Sequence, residues 1–235
     1  MKLKSSSYAL CKSLDERFDF LCDYFARNAA MIRTTAPYKQ DASQTFENFI
    51  CETPEQTHHH EVCRRFAMGL ARRVIEGPYG EIGLLLVGKW GTGKTHLANA
   101  ILNHLTGIKF PGFYFTSRDL FDWLWRPDSG DDTRQRRMKN LQAVSVLVID
   151  EIGRSSVTDA ERVRIRDIFE ARSEIGLPTV LITNLDGFEL KNALDGSFVS
   201  RLSKSAKALR FNGEDYRRRS EVARMDALDV FGEVA

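Results

Sequence analysis

No apolar run in the sequence approaches the ~20 residues that a membrane helix needs. The start, MKLKSSSYALCKSL, is basic with no continuous apolar stretch behind it, so a signal peptide is not expected and the cytoplasm is. Cysteine is scarce. Cys11, Cys22, Cys51 and Cys63 make no disulfide framework and fit a reducing compartment. There is no CxxC pair and no HExxH, so the nearest approach to a metal set, Cys51 and Cys63 with His58, His59 and His60, lacks ligand spacing. The stretch THHHEVCRRFAMGLARRV reads instead as one helix with its histidines on the early turns, and the spacing of Cys11 and Cys22 suggests packing. Excess charge is also missing: a net +2 says nothing about partners. No internal repeat or low-complexity tract occurs. The 235 residues, 43% apolar and 28% charged, suffice for one well-buried core with an appendage but are short for two full domains.

The distribution of charge says more than its sum. From Val199 to Met225 eight basic residues (Arg201, Lys204, Lys207, Arg210, Arg217, Arg218, Arg219, Arg224) stand against three acidic ones. Smaller clusters are Arg64, Arg65, Arg72 and Arg73, and RQRRMK from Arg134 to Lys139. Such clusters are solvated faces or, beside a nucleotide site, contacts to nucleic acid.

Residues 1–44 read as a separate helical segment and 45–235 as the main domain. Ser13 and Glu16 form a capping box ahead of the apolar stripe Leu14, Phe18, Leu21, Phe25 and Ile32. Phe20, Tyr24 and Met31 make a second stripe. One apolar face docks a helix on its own domain, and a second calls for another neighbour, within this chain or on a partner protein. TAPYKQDASQ, residues 35–44, reads as a linker. A helix near His58 to Ile75 then precedes an apolar strand at Ile82 to Val87. Strand-like GFYFT, helix-like SRDLFDWLW and the polar loop RPDSGDDTRQ follow. VSVLVID is an uninterrupted apolar run, as in a strand covered on both faces. A Thr158–Glu161 capping box opens a helix to Gly176, Pro178 blocks its continuation, and TVLIT is the next strand. The pattern predicts an α/β fold, a parallel sheet flanked by helices.

The chemistry centres on Gly88-Lys89-Trp90-Gly91-Thr92-Gly93-Lys94-Thr95, which fits G-x-x-x-x-G-K-[ST] between an apolar strand and a helix. Glycines let backbone N–H groups curl around phosphate oxygens, with the positive end of the next helix behind them. Lys94 would reach the β- and γ-phosphates of ATP, Thr95 would offer its hydroxyl to Mg²⁺, and His96 extends the nucleotide-binding stretch. Asp150, at the end of VSVLVID, is placed to hold the metal and its waters. Glu151 points elsewhere and is placed to polarise an attacking water. Asn184, after TVLIT, would hold that water or contact the γ-phosphate. Arg201, in SFVSRL on a short helix, would enter a neighbouring subunit's site as an arginine finger.

With these residues in place the sequence resembles the AAA+ ATPases, specifically the DnaC-like replicative helicase loaders and the related IstB-type transposition helper ATPases. TFENF, GKWGTGKTHLANAI, VLVIDEIG, LPTVLITNL, SFVSRL and FNGEDYRRR carry the resemblance, from about residue 45 to 219. It implies a core that binds ATP and Mg²⁺, binds single-stranded DNA and self-associates around the ring-shaped replicative helicase hexamer, with a small N-terminal domain gripping that helicase. Lys94 and Thr95 match the Walker A pair, Asp150 and Glu151 the Walker B pair, Asn184 the first sensor and Arg201 the trans-acting finger. One of Arg217, Arg218 and Arg219 matches a further contact to nucleotide or neighbour. Only 34 residues follow Arg201, so the C-terminal helical lid of larger relatives is not expected. Trp90 stands where family loops commonly carry proline; it would cover the nucleotide, touch a neighbour or pack locally.

The leading reading is an ATP-dependent helicase loader, in which ATP binding and slow hydrolysis act as a conformational switch. A transposition helper ATPase would share the core and differ in its target. A small-molecule kinase would share only the phosphate loop, and a DNA-binding protein that holds ATP without turnover would not need Glu151. Single-strand binding would draw on Arg210, Arg217 and Arg218, with Phe113, Tyr114, Phe115 and Tyr216 as aromatic candidates for base stacking, though Phe113 and Phe115 alternate with Tyr114 on a strand and read as core. Leu14, Phe18, Leu21 and Phe25 are the candidate partner face.

Overall fold

The computed structural model describes residues 13–33, 36, 40–76, 83–126, 130–153 and 158–216. Helices α1 (Leu14–Arg33) and α2 (Pro54–Glu76) lead into strand β1 (Gly83–Gly88) and α3 (Lys94–Gly107). Then come β2 (Phe113–Thr116), α4 (Ser117–Leu124), α5 (Asp131–Gln142), β3 (Leu147–Ile152) and α6 (Asp159–Glu174). The series ends with β4 (Thr179–Thr183), α7 (Gly187–Leu194), α8 (Gly196–Ser205) and β5 (Ala206–Phe211).

The five strands form one parallel sheet in the order β2-β3-β4-β1-β5. After β1 the chain crosses to the far edge, returns strand by strand to β4, and then passes over to β5 on the other side. The chain direction therefore switches at the β1/β4 boundary, where sheets of this kind open a crevice beyond their carboxyl ends. Both faces are covered, which accounts for the unbroken apolar runs in β3 and β4. On one face Leu84, Leu86, Val148 and Ile182 pack with Leu97 and Ile101 of α3 and Phe66 of α2. On the other, Leu85, Phe115, Ile149 and Leu181 pack with Trp123 of α4, Leu141 of α5 and Ile168 of α6.

Helix α1 belongs to both layers. Leu21 and Phe25 are buried in the first core and Ala29 and Ile32 in the second, so α1 passes around the β2 edge of the sheet. Phe18 stacks on Phe110 at 5.3 Å and Phe25 meets the same ring at 5.2 Å. Of the stripe that would dock within this chain or on a partner protein, Phe18, Leu21 and Phe25 pack in this chain's own core, where they cover Phe110. Leu14 alone of the four stands exposed.

Two further differences have local causes. The polar loop expected over residues 126–135 turns helical at Asp131, where Asp131 and Asp132 favour the first turn and a run of long side chains propagates it. Leu141 is its one buried residue, so no amphipathic stripe announced it. Strand β5 was hidden because its exposed residues are Lys207, Ala208 and Arg210, two of them charges that suit an edge strand. The expectation of no lid falls mostly on residues 217–235, outside the described residues.

Candidate nucleotide-binding site

Strand β1 delivers the glycine-rich turn to the carboxyl edge of the sheet. Gly88 has φ 144°, and a Cβ there would sit 2.1 Å from the Phe211 carbonyl oxygen, so only glycine closes this turn beside β5. Gly93 caps α3 in a left-handed conformation, φ 94°, and supplies no side chain to the helix start. The first N–H groups of α3 therefore face the loop without a side-chain cap, a donor set suited to phosphate oxygens. Lys94 begins the helix, nearly buried, and its ammonium donates to the carbonyls of Gly88 (2.7 Å) and Lys89 (2.5 Å). Thr92 Oγ1 donates to the Lys89 carbonyl at 2.8 Å. Trp90, at the crown, is 63% exposed.

The carboxylates come from β3. Asp150 is buried, and Thr95 Oγ1 donates to its Oδ2 at 2.8 Å. The Tyr114 hydroxyl donates to the same oxygen, and the Glu151 N–H donates to Oδ1 at 2.5 Å. A hydroxyl beside a carboxylate is the hard-oxygen pair that suits Mg²⁺, so the residues present fit that ion. Burial, and then the Asp150 charge, push the Tyr114 phenol up, which keeps it a donor. Tyr114 is therefore unavailable for base stacking, and Phe113 and Phe115 are core. Glu151 has φ 58° at the irregularity between Ile149 and Ile152. A left-handed non-glycine residue is strained, and here it turns the Glu151 side chain off the alternation that would bury it. Asn184 follows β4, whose Thr183 pairs with Val87 of β1 and Ile152 of β3, so three strand ends bring loop, carboxylates and amide to one edge. Asn184 lines an open cleft of about 520 Å³ with Lys89, Phe188 and Arg210.

Other expected residues lie elsewhere. His96 turns away from the loop: its Nε2 is 2.9 Å from the Thr45 carbonyl and its ring meets Phe49 edge-on at 5.2 Å. TFENF is thereby pinned to α3, with Phe49 beneath Gly93. Tyr216 is anchored, its N–H donating to the Gly91 carbonyl at 3.0 Å and its hydroxyl to Gln56 Oε1 at 3.2 Å. Asp215 lies against Gly91, and Asn212 donates to Glu55, so residues 212–216 form a strap across the phosphate loop. FNGEDY pointed to this region, though no spacing rule would have laid it over Gly91. Arg201 is on α8, exposed and paired with Glu170 of α6. Arg217, Arg218 and Arg219 lie outside the described residues.

The family of IstB-like ATP binding proteins matches residues 80–223. The replicative helicase loader DnaC of Escherichia coli K12 is 32% identical over 187 residues, 78% of this chain and 72% of that protein. The replicative helicase loader DnaC of Buchnera aphidicola subsp. Schizaphis graminum is 30% identical over 176 residues, 74% of this chain and 69% of that protein. Among solved structures, the DnaC helicase loader superposes with a TM-score of 0.62 at 25% identity, covering 72% of this chain and 97% of that one. AMPPCP-bound DnaA from Aquifex aeolicus gives a TM-score of 0.62 at 17% identity, over 81% of this chain and 57% of that one, a likeness of fold alone.

Proposed function

The chain belongs to the IstB-like ATP binding protein family together with the DnaC replicative helicase loaders, and on that premise we propose that it is an ATP-dependent loader of a replicative helicase onto single-stranded DNA. The observation that carries the nucleotide chemistry is the meeting of Lys94, Thr95, Asp150 and Glu151 at one sheet edge, beside the uncapped start of α3.

In this reading the ammonium of Lys94 leaves the Gly88 and Lys89 carbonyls for the β- and γ-phosphate oxygens of ATP, while the first N–H groups of α3 hold the β-phosphate. Thr95 and Asp150 would hold Mg²⁺, and the ion would supply positive charge to offset that of the phosphates. Asn184 orients a water at the γ-phosphorus and Glu151 takes its proton. As the water oxygen bonds to phosphorus, the bond to the ADP oxygen breaks. Arg201 of a neighbouring copy meets the charge on the transferred group. Assembly thus depends on the γ-phosphate, and hydrolysis releases it.

The test is co-migration of the full-length chain with the host's replicative helicase on a sizing column, with ATP and Mg²⁺. Deleting residues 1–44 would strip α1 from Phe110 and the β2 edge, so partner contact is better probed with Leu14→Arg at an exposed position. A nucleotide-dependent complex, weakened by Leu14→Arg, is the expected result. No complex under any nucleotide condition would sink the loader reading. The IstB match then makes a transposase the next bait.

A further inference from the structure

Tyr114 is one residue for which the nucleotide chemistry has so far assigned no task. Its ring lies on the sheet face covered by α3, in the same core as Leu97, Ile101 and Val148. The β2–β3 register pairs Tyr114 with Val148 and Thr116 with Asp150, so Tyr114 and Asp150 share a face and the phenol reaches one pair further along. A phenylalanine would fill the same core volume. The hydroxyl, buried beside a carboxylate, is tolerated because it donates to Asp150 Oδ2.

The count of acceptor positions gives that hydrogen bond a role. A carboxylate has about four lone-pair positions, two on each oxygen. Thr95 and Tyr114 occupy those of Oδ2, and the Glu151 N–H takes one of Oδ1. The position left on Oδ1 is then the one open to a metal or its water. Without the phenol, Oδ2 would have one donor instead of two, and Thr95 with the Glu151 N–H would hold the carboxylate less firmly about its last bond.

We propose that Tyr114 is a positioning residue for Mg²⁺: by donating to Asp150 Oδ2 it holds the carboxylate in the orientation that receives the ion together with Thr95. The proposal rests on the nucleotide-site reading above. Partners that orient a metal ligand through hydrogen bonds contribute about tenfold or more to metal affinity.

The experiment titrates Mg²⁺ against a fluorescent ATP analogue bound to the full chain, wild type and Tyr114→Phe, with a parallel arm in EDTA. The expected result is a midpoint Mg²⁺ concentration raised about tenfold, with affinity in EDTA unchanged, since Tyr114 touches the carboxylate and not the phosphate cradle. An unchanged or lowered midpoint overturns the proposal, the lowered one by making the phenol a competitor of the metal. Equal loss in both arms also overturns it, by making Tyr114 a packing residue only. A wild-type chain that bound the analogue with no response to Mg²⁺ would remove the nucleotide-site reading itself, which separates that failure from a variant that merely matches wild type.

Discussion

Arg172 lies wholly inside the molecule, where a cation is tolerated only if its hydrogens are met. Its guanidinium donates to the carbonyls of Leu141 and Val144 at 2.8 Å each, to Pro178 at 2.6 Å, and to Thr179 Oγ1 at 3.1 Å. One side chain thus ties the end of α5 to the starts of β3, which carries Asp150, and β4, which leads to Asn184. Arg172→Met would keep much of the volume and orphan those carbonyls. Chemical denaturation should read a loss of about 3–5 kcal/mol, and a loss below about 1 kcal/mol would mean that water replaces the guanidinium.

His59 supplies the pH dependence. It is nearly buried and stacks on Phe211 with centroids 4.0 Å apart. Burial pushes its imidazole below the ordinary value, and the nearby Glu55 only partly opposes this. The folded chain therefore binds the proton less readily than the unfolded one. Stability contributed here is present while the ring is neutral and falls as pH drops below about 6.5 towards the lower folded value. Thermal unfolding at pH 7.5 and pH 5.5 should show a drop in Tm that is smaller in His59→Gln. An equal drop in both would assign the acid sensitivity to other groups.

At the scale of elements the test case is α1. Phe25→Ala removes a ring buried against Phe110 and should cost about 3–5 kcal/mol, whereas Leu14→Ala, 55% exposed, should stay within about 0.5 kcal/mol. Near-equal effects would mean that α1 does not cover the β2 edge in solution. The stripe of α1 was legible from its helical spacing, but what it meets was not, because apolar periodicity fixes which face is buried and never against what. The carboxylate strand, the phosphate loop and the capping box at Thr158 were legible because each depends on neighbours in sequence. Helix α7 has the same local signal, Asp186 capping with Glu189 just past LPTVLITNL. Contacts that close over long sequence separations, such as Tyr114 with Asp150 or Tyr216 with Gly91, had no local signature.

At the scale of the whole molecule, charge would govern the proposed single-strand binding. If Arg210, Arg217 and Arg218 each neutralise one phosphate, log affinity against log salt should fall with a slope of about −2, and Arg210→Ala should flatten it by about 0.7. A slope near zero would take DNA away from this basic cluster.

The proposed self-association would turn on how easily Arg201 is released. Its pair with Glu170 is on the surface, with the arginine side chain 58% exposed, and such pairs are worth about 0–1 kcal/mol. Handing the guanidinium to a neighbour's γ-phosphate therefore costs little, and Glu170→Gln should lower that cost and favour ATP-dependent assembly. A finger in trans belongs to a head-to-tail interface, in which one copy gives the loop and the next the arginine. Lys94→Ala keeps the finger and loses the loop, while Arg201→Ala keeps the loop and loses the finger. Each alone should release little phosphate. Mixed in equal amounts they should recover about a quarter of the wild-type rate, since about one interface in four then joins an intact loop to an intact arginine. A mixture no faster than its parts would place Arg201 outside the reaction and leave it as the partner of Glu170.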